Sequence, residues 1–391
     1  GMISLSLSDT VHTNALLFPV SLGSATTPGK ATAREFRIYW NVPTFMCHKH
    51  GFQFEEVSKS YGILQNQDDQ FRGDQIVILY DPGMFPALLR DSKGKPPSID
   101  THTHTLRNGG VPQEGNVTKH LEVFREHLIN QVPDKYFRGI GVIDFESWRP
   151  IFRQNWASLS PYRDMSIDLV AREHPFWNKK AIKEEARRRF EKYGRLFMDV
   201  TLNAAKELRP HASWGYYAYP YCYNLTPNNP GNLCAPETVA ENDKMAWLFE
   251  EEGVILPSLY LRDRLTNSEK VGLVSGRVKE ALRLARKVTP RQQVLPYYWY
   301  KYQDQQDKYS VLEATMRKIV DVGADGIIIW GSSNDLKTKE ACLEFQQYLN
   351  NTLGPIAAHI REQANIEHGY DSYTDKGRSD NEIENETFKS T

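Results

Sequence analysis

Residues 139–152 read GIGVIDFESWRPIF, an apolar run from Ile140 that closes on Asp144, Phe145 and Glu146. Successive side chains on a strand point to opposite faces, so Asp144 and Glu146 share one face and Phe145 takes the other. Two carboxyls held that close cannot both ionise easily, and one pKa rises. The raised group becomes an acid able to protonate a leaving oxygen near neutral pH. Taken alone, such a strand end also describes two solvated acids, so the surrounding sequence decides.

Six further runs share the apolar or aromatic character: Phe36–Asn41 (FRIYWN), Ile76–Tyr80 (IVILY), Ser213–Ala218 (SWGYYA), Ile255–Tyr260 (ILPSLY), Val294–Trp299 (VLPYYW) and Ile327–Trp330 (IIIW). With Ile140–Phe145 they make seven predicted strands, rich in β-branched and aromatic residues and bounded by Gly, Pro or Asp. Helical patterns lie between them. Lys180–Leu208 places Ile182, Ala186, Phe190, Phe197, Ala204 and Leu208 near one stripe, Val278–Val288 and Val311–Val322 repeat the pattern, and a last helix runs from about Lys337 to Ile360. Alternating strand and helix predicts a parallel sheet, and closure into a barrel is the economical form for seven strands. The alternative is an open doubly wound sheet, but neither GxGxxG nor GxxxxGKS/T follows any strand. In a parallel barrel, catalytic groups sit at the carboxyl ends of the strands, which is where Asp144 and Glu146 fall.

The 391 residues are 40% hydrophobic and 25% charged, with a net charge of −1. That balance belongs to a folded globular protein and shows no basic stripe for a nucleic acid. Residues 361–391 carry 8 acidic and 4 basic side chains and hardly any core formers, and read as a disordered acidic tail. Residues 1–33 read as poorly ordered; within them Asn14–Ala25 has the form of a signal-peptide stub without its basic start. One catalytic domain, residues 34–360, remains, interrupted by a polar insert at Asp91–Thr105. No run of about 18 apolar residues exists, so no membrane span is expected.

Cys47, Cys222, Cys234 and Cys342 lack the paired spacing of a zinc site, and their even number fits two disulfides as well as four free thiols. Glycosylation sequons at Asn116, Asn224, Asn350 and Asn385 lean towards secretion. His48 and His50, like His102 and His104, offer two imidazoles without a third ligand on a rigid element, so no metal or other cofactor is expected. Strand ends carry Tyr80-Asp81, Tyr216-Tyr217, Tyr260, Trp299 and Trp330-Gly331-Ser332-Ser333. Aromatics at several mouths around an acidic pair describe a cup for a sugar ring, with Tyr and Trp donors at its rim.

The segments YWNVPTFMC (39–47), ILYDPGMFPALL (78–89), NGGVPQEGNVTKHL (108–121), GVIDFESWRPIFRQNW (141–156), WGYYAYPYCYNLTP (214–227), YYWYKYQD (297–304) and IIWGSS (328–333) resemble the hyaluronidase family, in particular its insect venom members of the bee type. The resemblance runs from about Arg34 to Ile360 and implies an α/β fold: a single-domain, distorted TIM-like (β/α)7 barrel with a long substrate groove at the C-terminal ends of the strands. It implies endo-hydrolysis of the β-1,4 linkages between N-acetylglucosamine and glucuronate in hyaluronan, by a substrate-assisted retaining mechanism. On that pattern Glu146 is the acid/base and Asp144 its partner carboxylate. Tyr217, Tyr260 and Trp330 shape the N-acetyl pocket, and Tyr80, Asp81, Arg149, Ser332 and Ser333 take other groove positions. Cys47–Cys342 and Cys222–Cys234 match the family's disulfides. The implied protein is a secreted monomer whose partner is a glycosaminoglycan polymer, hyaluronan or chondroitin, with no nucleic-acid or membrane partner. The sequence departs from the family in the length of the Asp91–Thr105 insert and at both termini, and it lacks the Cys-rich C-terminal module of vertebrate members. The alternatives are a chondroitin-preferring hydrolase and a catalytically inactive glycan-binding relative; intact Asp144 and Glu146 count against the second.

Overall fold

The computed structural model describes residues 34–54, 57–89 and 105–369. Its strands are β1 (Arg37–Asn41), β2 (Ile76–Tyr80), β3 (Ala87–Leu89), β4 (Thr105–Arg107), β5 (Ile140–Asp144), β6 (Ser213–Ala218), β7 (Val254–Pro257), β8 (Gln293–Val294), β9 (Tyr297–Trp299) and β10 (Gly326–Trp330). The β3–β4 pair is an antiparallel hairpin, whereas all the other ladders are parallel. Around the barrel the order is β2, β5, β6, β7, β8, then β9, β10 and β1, with Ser258 beyond β7 bridging to Tyr297 of β9. The run Val294–Trp299, read as one strand, is two pieces split at Leu295-Pro296. Proline has no N–H for the ladder, although its carbonyl still accepts from Ile328 N at 2.9 Å. Counting β8 and β9 as one position gives the seven-stranded barrel.

Alternation along the strands sorts the core. Tyr39, Ile76, Ile78, Ile140, Val142, Tyr217, Val254, Leu256, Tyr297 and Ile328 pack together inside the barrel. Their neighbours Val77, Leu79, Ile143, Tyr216, Ile255 and Ile327 face outward into the larger core under the helices. Gly141 is required within β5, because a Cβ there would lie 2.3 Å from the Trp214 indole. Continuing each inward stripe to its mouth gives Tyr80, Asp144, Tyr217 and Trp330, so the barrel's own period aims these side chains at one place.

Between β1 and β2 no ladder forms. Leu64 pairs with β1, its N–H donating to Ile38 O and its carbonyl accepting from Trp40 N. On the other side Asn66 Nδ2 donates to Ile76 O at 2.9 Å, Asn66 Oδ1 accepts from Ile76 N, and Arg72 Nε donates to Ile78 O at 2.9 Å. Side chains therefore satisfy the backbone groups that a neighbouring strand would otherwise pair.

The helix Lys179–Leu208 is capped by Asn178, which accepts from Ala181 N. Asn267–Ala285 begins well before the expected Val278, because Thr266 and Glu269 form a capping box. The segment expected to end at Ile360 comprises Lys339–Tyr348, a π turn at Leu349–Leu353 and Gly354–Glu367. The boundary at 360 is thus corrected: the first turns of the stretch read as tail are helical, Ala364 is buried, and Asn365 Oδ1 accepts from Phe36 N at 2.6 Å. The helices Val117–Gln131 and Ser160–Glu173 have no counterpart in the sequence reading. Residues 1–33, all of the Asp91–Thr105 insert but its last residue, and residues 370–391 lie outside the described residues.

Cys47, after β1, is joined to Cys342 in the helix Lys339–Tyr348, and Cys222 is joined to Cys234. The first bridge spans 295 residues of sequence. Closing so long a loop in the unfolded chain is worth on the order of 5 kcal/mol in the chain-entropy model, against about 3 kcal/mol for the short loop. The Cys47→Ser/Cys342→Ser protein is expected to lose about that much stability in denaturant unfolding; a loss under about 1 kcal/mol would show that the bridge does not constrain the unfolded chain.

Candidate active site

Asp144 ends the inward stripe of β5, and Glu146 remains on the same side because its neighbours are pinned. Phe145 stacks on Phe85 with centroids 4.0 Å apart. Trp148 packs edge-on to Phe145 at 4.8 Å and donates Nε1 to Pro86 O at 2.8 Å. The short link carrying Glu146 is therefore anchored on both sides in the buried core.

Tyr80 faces Asp144 in register across the β2–β5 ladder. Asp81 follows it in the left-handed region at φ 42°, its N–H donating to Asp144 O at 2.7 Å. Its carboxylate takes both ends of the Arg107 guanidinium, including Nη2 to Oδ1 at 2.8 Å. From β10, Trp330 Nε1 donates to Tyr80 Oη at 2.9 Å, and the Trp330 ring stacks on Tyr260 at 5.4 Å. Tyr217 donates its hydroxyl to Ser258 Oγ at 3.2 Å and packs edge-on against Tyr297 at 5.1 Å. Just beyond it Ala218 is held at φ 73°, so two strand mouths carry strained non-glycine backbone, as functional sites often do.

Burial raises the pKa of both carboxyls. For Asp144 the negative charge of Glu146 adds to the rise, and Asp81 adds a little more. For Glu146 hydrogen bonding to Asp144 and the positive charge of Arg149 act the other way. Glu146 is exposed to the cavities that it lines, while the protein packed around it supplies the desolvation that raises its pKa. The two carboxyls therefore titrate as one coupled pair, with Asp144 lifted to about 8. Burial also pushes the Tyr80 hydroxyl up to about 12 and raises those of Tyr217 and Tyr260, keeping all three as O–H donors.

Two cavities open on either side of this pair. One, of about 460 Å3, is lined by Tyr80, Asp81, Asp144, Glu146, Ser147 and Tyr162 among others. The second, of about 300 Å3, is lined by Glu146, Arg149, Tyr217, Tyr221, Tyr260 and Arg277 among others. Glu146 is the single residue that lines both. Arg149 lies 4.6 Å from the Tyr221 ring centre and 5.6 Å from that of Tyr223, its Nη1 donating to Gln154 O. Cys222 lines the same cavity, so the short disulfide braces one of its walls.

Arg277 is the residue that sequence reasoning missed. It enters the second cavity from the helix Asn267–Ala285, with Nε on Asn224 Oδ1 at 3.0 Å and Nη1 on Ser258 O at 2.8 Å. Among the described residues no carboxylate pairs with it, and burial lowers its pKa to about 10. In sequence it is one of several cations, with Lys270, Lys279 and Arg283, on a basic helix, a pattern that reads as a solvated face. Ser332 and Ser333 line neither cavity; Ser332 caps the turn Ser333–Leu336, its Oγ accepting from Asn334 N. His48 Nε2 is paired with Asp69 at 3.0 Å, and His102 and His104 lie outside the described residues.

The sequons separate by environment. Asn116 is exposed at the N-cap of Val117–Gln131, where its Oδ1 accepts from Lys119 N. Asn350 is also exposed, accepting from Tyr61 Oη. Asn224 is buried, with Nδ2 donating to Asn232 O and Leu273 O. Asn385 lies outside the described residues. Glycopeptide mapping is expected to find sugar on Asn116 and none on Asn224; sugar on Asn224 in the folded protein would contradict this packing.

A hyaluronidase family model matches residues 25–377. The chain is 64% identical to a hyaluronidase of Apis mellifera over 351 residues, 89% of each chain. It is 51% identical to hyaluronidase B of Vespa velutina over 335 residues, 85% of this chain and 98% of the relative. The crystal structure of bee venom hyaluronidase in complex with a hyaluronic acid tetramer superposes with a TM-score of 0.80 at 66% identity, covering 83% of this chain and 99% of the other.

Proposed function

The chain belongs to the hyaluronidase family, and from that premise we propose how its groove carries out the reaction. The protein is a glycoside hydrolase that cuts hyaluronan. It is secreted, and its two disulfides suit an oxidising extracellular space. One observation supports the catalytic assignment above the others: Glu146 alone touches both halves of the groove, where a bond between two sugars has to lie.

Glu146 gives its proton to the glycosidic oxygen as the bond to the anomeric carbon breaks, and the bonding electrons leave with that oxygen. The substrate's acetamido oxygen attacks the anomeric carbon from the opposite side, which makes a protein nucleophile unnecessary. Asp144 accepts a hydrogen bond from the acetamido N–H and balances the charge that grows there. Tyr217 and Tyr260 donate hydroxyls to the same group, and the stacked Trp330 closes the cleft over it. The Glu146 carboxylate then takes a proton from the incoming water, which opens the ring intermediate and restores the starting configuration. Arg277, whose charge has no carboxylate partner, is placed to receive a uronate carboxyl in the second cavity.

A turbidity or zymogram assay on hyaluronan, chondroitin and chitin tests the reading. Hyaluronan is expected to be cut fastest and chitin not at all. Faster chondroitin cleavage would make the protein chondroitin-preferring, and failure on all three would leave a glycan-binding relative.

A further inference from the structure

Away from the catalytic groove, a cavity of about 480 Å3 lies between the helices Asn267–Ala285 and Leu312–Val322. Ser275, Lys279, Leu282 and Arg286 line one wall and Lys318 and Asp321 the other. The first four fall on one helical stripe, so Lys279 and Arg286 face the space together. No lining residue is shared with the two cavities at Glu146.

The charges here are unevenly matched. The neighbouring Arg283 is neutralised by Glu280 and Asp243, and Lys287 by Asp243. Among the described residues Lys279 and Arg286 form no ion pair, and both are exposed. Lys318 Nζ lies 3.3 Å from Asp321 Oδ2, but Asp321 is already shared with Arg317 Nε at 2.8 Å. The helix dipole accounts for Arg286, which stands at the helix C-cap; it does not account for Lys279 inside the helix. Arg317 is paired with Glu367 as well, so three cations converge on one cavity that Asp321 alone among the lining residues opposes. No aromatic ring lines it, so a sugar face finds nothing to stack on, and recognition rests on charge. Charge density then selects a polymer bearing several sulfates over hyaluronan, whose repeating unit carries a single carboxylate.

We propose that this cavity docks a sulfated glycosaminoglycan chain and tethers the enzyme to matrix while the separate catalytic groove works. Calorimetric titration of a heparin octasaccharide into the whole protein is the test. The logarithm of affinity is expected to fall with the logarithm of salt with a slope of about −2 to −3, from three cations releasing roughly 0.7–0.9 counterions each. The Lys279→Ser/Arg286→Ser/Lys318→Ser protein is expected to bind heparin about tenfold more weakly or worse while hyaluronan turnover is unchanged. Lys279→Glu, a single exposed change, is expected to weaken heparin binding several-fold and covers the case in which the triple variant folds poorly. A hyaluronan octasaccharide, measured on Glu146→Gln protein to prevent cleavage, is expected to bind equally well with and without Lys279→Glu. No heparin binding, heparin affinity unchanged in the variants, or hyaluronan binding lost with Lys279→Glu would each overturn the proposal.

Discussion

Glu146→Gln protein is expected to hold hyaluronan and fail to cut it, with turnover down by about 10²–10⁴-fold or more. Gln preserves the shape and the anchoring through Phe145 and Trp148 but can neither give a proton to the leaving oxygen nor take one from water. Folding should not suffer. Burial raises the Glu146 pKa, so the favourable contribution of its neutral form is present at low pH and fades as pH rises through the folded-state value. A neutral Gln has no such loss. The variant should therefore melt close to wild type near pH 4 and at an equal or higher temperature in mildly alkaline buffer. Reducing-end release, binding and melting curves measured together decide the matter; more than about a tenth of wild-type turnover would falsify the acid/base role.

Asp144→Asn is expected to lower turnover by a comparable factor through a different limb of the pH profile. Its carboxylate balances charge on the acetamide, and Asn offers that nitrogen only a neutral amide oxygen. Removing one of two facing acids also removes the like-charge repulsion that keeps a proton on the pair at neutral pH. The alkaline limb of kcat/KM should consequently move to lower pH, while the acidic limb from the second protonation disappears. Neither protein should accumulate a glycosyl ester. Sugar found covalently on Asp144 by mass spectrometry during wild-type turnover would replace substrate assistance with double displacement.

The barrel could be read from the chain because parallel strands covered on both faces become short runs of Ile, Val and aromatic residues, as in Ile76–Tyr80 and Ile327–Trp330. Asp144 and Glu146 were legible for the same reason: a carboxylate at the end of such a run breaks the pattern visibly. Arg277 was not, because its place in the groove depends on which face of a basic helix meets a cavity built by distant loops. Ser332 shows how little a hydroxyl tells by itself, since one that caps a turn and one that meets a ligand look alike in sequence. The interruption at Pro296 was visible as a residue but not as a break, because a proline at a strand edge is tolerated and only the register against β10 shows where pairing stops.

The join between β1 and β2 gives the barrel a mechanical character of its own. A hoop laddered everywhere else and stitched there by Leu64, Asn66 and Arg72 has its most compliant point at that join. Asp144, Glu146 and Tyr217 all ride on the continuous arc, so widening the hoop leaves their spacing alone. Trp330, near the far end of the same arc, reaches Tyr80 across the gap through one hydrogen bond. The hoop is therefore expected to yield first at the stitch without disturbing the acids, and the amides of β2 should exchange with solvent before those of β5.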